Sequence, residues 1–146
     1  MNNFRDFFIG KLIEDRCKEL NISMDRISRN FNLDNDEIGK LLKQKTIDTD
    51  CLLKWSKFLD YDFFRLYSQH LILYSPVVGK HKDGGFKETG LPSFRKNIYT
   101  TELIEFIIER IEKGQMTKQQ VINRYGIPKT TLYKWIVKYG NLTKDG

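Results

Sequence analysis

Thr117-Lys118-Gln119-Gln120-Val121-Ile122-Asn123-Arg124-Tyr125-Gly126-Ile127-Pro128-Lys129-Thr130-Thr131-Leu132-Tyr133-Lys134-Trp135 reads as two short helices broken by a Gly-Ile-Pro turn. Thr117 stands where an N-cap hydroxyl is wanted, and the helix after it turns Val121, Ile122 and Tyr125 inward. Gly126 is free to take the left-handed conformation that closes a helix. Pro128, with its fixed φ, suits the first turn of a new one. That second helix buries Leu132, Trp135, Ile136 and Tyr139 at spacings of three and four, and its opposite face carries Thr130, Tyr133, Lys134, Val137 and Lys138.

From Lys129 to Tyr139 there are three lysines and no acid, so the outward face meets phosphate without repulsion. Thr130 and Lys134 are placed to reach base edges, and the Val137 methyls to touch a thymine methyl. The set expected to contact double-stranded DNA is Arg124, Lys129, Thr130, Thr131, Tyr133, Lys134, Val137 and Lys138. Arg124, Lys129 and Lys138 would hold phosphates, while Thr130, Tyr133, Lys134 and Val137 would face the groove. The plainer reading of three lysines on an amphipathic helix is a solvated face. The turn grammar taken together with the charge map favours DNA.

Working outward, the chain has 146 residues and a net charge of +6, enough for one ordinary domain or two very small ones. Residues 1–75 hold 12 Lys and Arg against 12 Asp and Glu, whereas 76–146 hold 13 against 7. The whole excess therefore sits in the half that carries the motif, which suggests one part attracting a polyanion and another doing something else. No apolar run approaches membrane-spanning length. Residues 1–20 are too charged for a secretory signal, and a cytoplasmic protein is expected. Cys17 and Cys51 are then expected as reduced thiols packed as small apolar groups, with no zinc site. The Asn21-Ile22-Ser23 and Asn141-Leu142-Thr143 sequons carry no meaning in that compartment.

The pattern is all-α. Helices are expected over Phe4 to Leu20, Ser23 to Asn30, Asp34 to Lys43, Thr49 to Leu59 and Tyr61 to Tyr74, with Ser23, Asp34 and Thr49 as caps and Glu37 completing a capping box. These make a five-helix domain, 1–75. Residues 76–97, with Pro76, Gly79, Gly84, Gly85, Gly90 and Pro92 among Lys80, Lys82, Lys87, Arg95 and Lys96, read as a flexible basic linker. Its lysines either track phosphate or simply keep a tether soluble. Gly79-Lys80 lacks the spacing of a phosphate loop. A three-helix domain, 98–146, begins with Thr100 to Lys113, which turns Leu103, Ile104, Ile107, Ile108 and Ile111 inward. Glu102, Glu105, Glu109 and Glu112 form a solvated stripe on that helix, not an acid/base pair.

Two resemblances bear on these domains. Leu20-Asn21-Ile22-Ser23-Met24-Asp25-Arg26-Ile27-Ser28-Arg29-Asn30-Phe31-Asn32-Leu33-Asp34, with Leu52 to Asp62, resembles the five-helix repressor-like fold of phage and bacterial regulators. Gly126 to Trp135 looks like the N-terminal helix-turn-helix of insertion-sequence transposases. End to end, through Tyr61 to Tyr74 and Phe94 to Tyr99, the chain is similar to short bacterial proteins labelled transposases. The resemblance implies recognition of element ends or an operator. It does not supply catalysis, since three acidic metal ligands need a domain larger than this chain, so a catalytic chain acting in trans, or a regulatory role, is implied.

The first domain departs from the repressor pattern. Asp34 to Lys43 turns Ile38, Leu41 and Leu42 inward but puts Asp36 and Glu37 at the end that enters a groove, where they favour the helix dipole and repel phosphate. This domain is expected to support folding or self-association. Tyr61 to Tyr74 carries more apolar surface than one stripe needs, which either pairs two subunits as a homodimer or covers Phe4, Phe7 and Phe8 of the first helix. The competing function is a protein-interaction adaptor whose neutral domain recruits a partner. An enzyme is not expected: His70 and His81 have no catalytic constellation around them, and no cofactor is implied.

Overall fold

The computed structural model describes residues 5–75, 90–92 and 98–140, and within them the protein is all-α, with eight helices and no strand. The helices are α1 Ile9–Glu19, α2 Met24–Phe31, α3 Asn35–Leu42, α4 Thr49–Phe58, α5 Phe64–Tyr74, α6 Thr101–Glu112, α7 Lys118–Tyr125 and α8 Lys129–Tyr139. The described chain falls into two compact units, one ending at Tyr67 and the other starting at Ser68. Apart from residues 90–92, the linker expected over 76–97 lies outside the described residues, as do Phe4, His81 and the 141–146 tail.

In the first unit Ile9, Ile13 and Cys17 from α1 meet Ile27, Ile38, Leu52, Trp55, Leu59 and Phe63 in one buried cluster. Phe31 stacks on Trp55 at a centroid distance of 4.1 Å and meets Phe58 edge-on at 5.4 Å. Ser23 and Asp34 cap α2 and α3 as their side-chain chemistry requires. The capping box is complete, with the Glu37 amide donating to Asp34 Oδ1 at 2.8 Å and the Asp34 amide to Glu37 Oε2 at 2.9 Å.

Three starts differ from expectation. The first helix begins at Ile9, not Phe4, because the Ile9 and Gly10 amides donate to the carbonyls of Lys45 and Gln44. That approach is so close that a Cβ on Gly10 would sit 2.6 Å from the Leu42 carbonyl oxygen. Only glycine lets α1 lie there. The cap of α4 is Asp48, whose carboxylate accepts from the Cys51 amide at 2.8 Å, and Thr49 is already helical. The fifth helix starts at Phe64, after Asp62 has accepted from the Phe64 amide.

The surplus apolar surface of α5 is partly absorbed inside the first unit. Phe63 is buried, Phe64 and Leu66 pack on the core, and Phe7 meets the Tyr67 ring edge-on at 5.0 Å. Phe8, which the pattern turned inward, is instead exposed, with the Lys45 ammonium 5.5 Å from its ring centroid. Both thiols behave as packed apolar groups. Cys17 is buried and Cys51 half-buried, and burial pushes each thiol above its ordinary pKa.

The second unit holds the last turns of α5 and the helices α6 to α8. Its core is Leu103, Ile104, Ile107, Ile108, Val121, Tyr125, Ile127, Leu132 and Trp135. Ile111, Ile122, Ile136 and Tyr139 are only half-buried, at the margins of the inward stripes. Gln69, fully buried, is bound at both ends of its amide: Nε2 donates to the Ile98 carbonyl at 2.7 Å, and Oε1 accepts from the Thr100 amide at 3.1 Å. A buried amide bonded on both sides offsets its desolvation and fixes the approach to α6.

Candidate nucleic-acid interface

The α7 to α8 region is built from local rules. Thr117 and Gln120 form a reciprocal cap, with the Gln120 amide donating to Thr117 Oγ1 at 3.1 Å and the Thr117 amide to Gln120 Oε1 at 2.8 Å. Gly126 ends α7 with φ +65°, the left-handed value for which glycine has no Cβ penalty. Ile127, in the middle of the turn, is fully buried and pins the turn to the core. Pro128 occupies the N-cap position of α8, one residue earlier than the first-turn position expected of it, and offers no side-chain acceptor to the α8 amides. Trp135 anchors α8, its ring meeting Tyr99 edge-on at 4.8 Å.

This packing leaves one side of α8 facing outward. Lys129, Thr130, Tyr133, Lys134, Val137 and Lys138 are exposed, Val137 at 80% and Tyr133 at 43%, whereas Thr131 is half-buried. Arg124, on α7, is also exposed. Val137 is a single exposed apolar side chain among the lysines of this face. α7 and α8, like α1 and α5, have no acid in the first turn, whereas α2, α3, α4 and α6 each do. The Lys138 ammonium lies 5.2 Å from the Tyr139 ring centroid and the Arg124 guanidinium 5.9 Å from that of Tyr125. These contacts prop the cationic stems along the surface and leave the charged heads in water.

Sequence reasoning passed over Lys118. Its ammonium is 5.2 Å from the Tyr133 ring centroid, and the Lys129 ammonium is 5.7 Å from the same point. The sign that could have found it was its position as the first residue of a helix, where a cation opposes the macrodipole.

On the first unit, α3 exposes Asp36, Glu37, Lys40 and Lys43, with its acids in the first turn. Among the described residues no group of three or more His, Cys, Asp or Glu is arranged to hold a metal ion, and no helix is long and apolar enough to cross a membrane. Compared with protein-family models, curated proteins and solved structures, the chain matches none.

Proposed function

We propose that the second unit binds double-stranded DNA as a helix-turn-helix, with α8 laid in the major groove. The observation that carries this reading is the outward face of α8, where Thr130, Tyr133, Lys134 and Val137 stand exposed among lysines with no carboxylate on the helix. A thymine methyl is a natural neighbour for Val137, and a base edge or phosphate for Lys134. Arg124, Lys129 and Lys138 flank that face and supply the sequence-independent share of the affinity. Half-buried Thr131 orients the helix start more than it reads bases.

In this reading the protein is a two-domain binder with a linker between a repressor-like first domain and the DNA-binding second. It recognises element ends or an operator, acts without catalysis of its own, and works with a transposase chain in trans or as a regulator. The acidic first turn of α3 supports reading the first unit as serving partner recruitment or self-association rather than a second DNA contact.

The test is fluorescence anisotropy of the full chain against a randomised duplex pool across a salt series, followed by sequencing of the bound fraction. Tight, salt-sensitive binding with an enriched motif is expected. Lys134→Glu should weaken it at least about tenfold, a loss of roughly 1.4 kcal/mol or more, with the melting curve unchanged. Equal binding by Lys134→Glu and the parent would mean the wrong face has been assigned. Binding that survives high salt and prefers no DNA would turn the reading to the adaptor.

A further inference from the structure

The starts of α7 and α8 share a cleft of 540 Å³ whose polar lining is Thr117, Lys118, Gln119, Lys129 and Tyr133, with no carboxylate among its lining residues. Lys118 and Lys129 both line it, with their ammonium groups 5.2 and 5.7 Å from the centroid of the one Tyr133 ring. Each is the first residue of its helix. At that position the free amides already carry partial positive charge, so a cation is unfavourable for the fold taken alone. Among the described residues neither lysine has a carboxylate within ion-pair distance. Pro128 leaves the first amides of α8 without a side-chain acceptor. Two cations gathered on one ring, at places where each opposes helix stability, in a cleft with no acid, are arranged for an anion supplied from outside.

We propose that Lys118 and Lys129 clamp a single phosphodiester of the DNA backbone in this cleft, with Tyr133 holding both lysine stems in place. The inference rests on the DNA-binding reading of α8 and deepens it. Grip on the backbone is assigned to the paired helix starts, and Thr130, Lys134 and Val137 are left for the bases. Tyr133, which lines the cleft, then marks the boundary between the two. A phosphate held at this point sets how far α8 enters the groove, which is how a contact blind to base sequence still governs register.

The test uses the full chain and the best duplex from the randomised pool, with anisotropy measured from about 50 to 200 mM salt. Parent, Lys118→Gln, Lys129→Gln and the double variant are compared. If one phosphate is shared, either lysine alone still neutralises it, so each single variant weakens binding but keeps the slope of log K against log salt, and only the double variant lowers the slope, by about 0.9. The rank order of duplexes stays as in the parent, and Lys118→Arg keeps the parent affinity. Thermal unfolding is not lowered in any variant, because both side chains are exposed and each Gln removes a cation from the start of its helix. A slope identical to the parent in the double variant overturns the clamp while the DNA reading stands. Single variants that each lose about 0.9, with a double variant that loses about twice as much, overturn it too, in favour of separate phosphates. A parent that binds no duplex at any salt removes the DNA reading and the clamp with it.

Discussion

The turn from α2 to α3 runs Asn32-Leu33-Asp34, and the turn from α7 to α8 runs Gly126-Ile127-Pro128. In each, the first residue closes a helix in the left-handed region, at φ 52° and 65°. The second is an apolar residue turned toward the core, and the third caps the next helix. The backbones solve the same problem with different chemistry. Asp34 completes a reciprocal cap and is followed by Asp36 and Glu37, which suit the helix dipole. Pro128 gives α8 no side-chain cap and is followed by Lys129, which does not suit it. The two pairs thus differ at the start of the second helix, which is capped and acidic in α3 and uncapped and basic in α8. A helix-turn-helix backbone is therefore no evidence of DNA binding by itself, and in the proposed reading it is this first turn that separates the two.

That contrast is breakable. The largest effect is expected from Trp135→Ala, which should cost roughly 3 to 5 kcal/mol and unfold the second unit. Thermal melting followed by circular dichroism should then lose the second unit's transition and keep the first's. A single transition shifted as a whole would show instead that the two units do not melt independently. Next is the pair of left-handed positions. Gly126→Ala should destabilise the second unit by about 1 to 2 kcal/mol, while Asn32→Gly at the equivalent position should change the first by only a few tenths of that, since Asn tolerates the conformation. Equal losses at the two sites would remove the likeness drawn between the turns.

A smaller effect is expected at the cap. Asp34→Ala should lower the first unit's stability by about 1 kcal/mol, read from urea unfolding, and leave the salt dependence of DNA binding untouched. A change in that dependence would bring α3 back as a DNA contact. The smallest is a pH effect confined to the first unit, which holds both cysteines. Burial, with the Glu14 charge adding to it, holds the Cys17 thiol above its ordinary 9.0, and Cys51 is raised in the same direction by burial and Asp48. The folded state disfavours the thiolate, so this contribution is complete below pH 9 and is lost as pH climbs through the folded values. Urea midpoints of parent and a Cys17→Ala, Cys51→Ala variant should therefore converge slightly above pH 9. A gap that stays constant or widens would contradict the sign.

Local signals carried much of this structure. Ser23, Asp34 and Thr117 cap helices where the sequence places them, because a hydroxyl or carboxylate ahead of an amphipathic run acts on amides two or three residues away. The inward stripes of α6 and α8 follow from periodicity alone, with Ile111 and Ile136 only half-buried at their edges. What escaped was set by partners far along the chain. The apolar residues before Ile9 suggested a longer α1, but its first amides are taken by carbonyls from 44 and 45. Gly10 looks like an ordinary helix residue until the Leu42 carbonyl is placed beside it. At the candidate site the outward face of α8 was legible from spacing, while the approach of Lys118 to Tyr133 was not. Residues fifteen apart meet only once the turn between them has a direction.

Gln69 bears on how this protein would be taken apart and reused. Its amide holds the Ile98 carbonyl and the Thr100 amide, so the part of the chain proposed as the DNA reader does not begin where its first full helix begins. A graft cut at residue 98 would leave both backbone groups without their partner and the start of α6 unbraced. One cut ahead of Ser68 keeps the brace. The natural seam for recombination, in a laboratory fusion or in a rearranging genome, lies about fifty residues upstream of the motif that gives the fragment its interest.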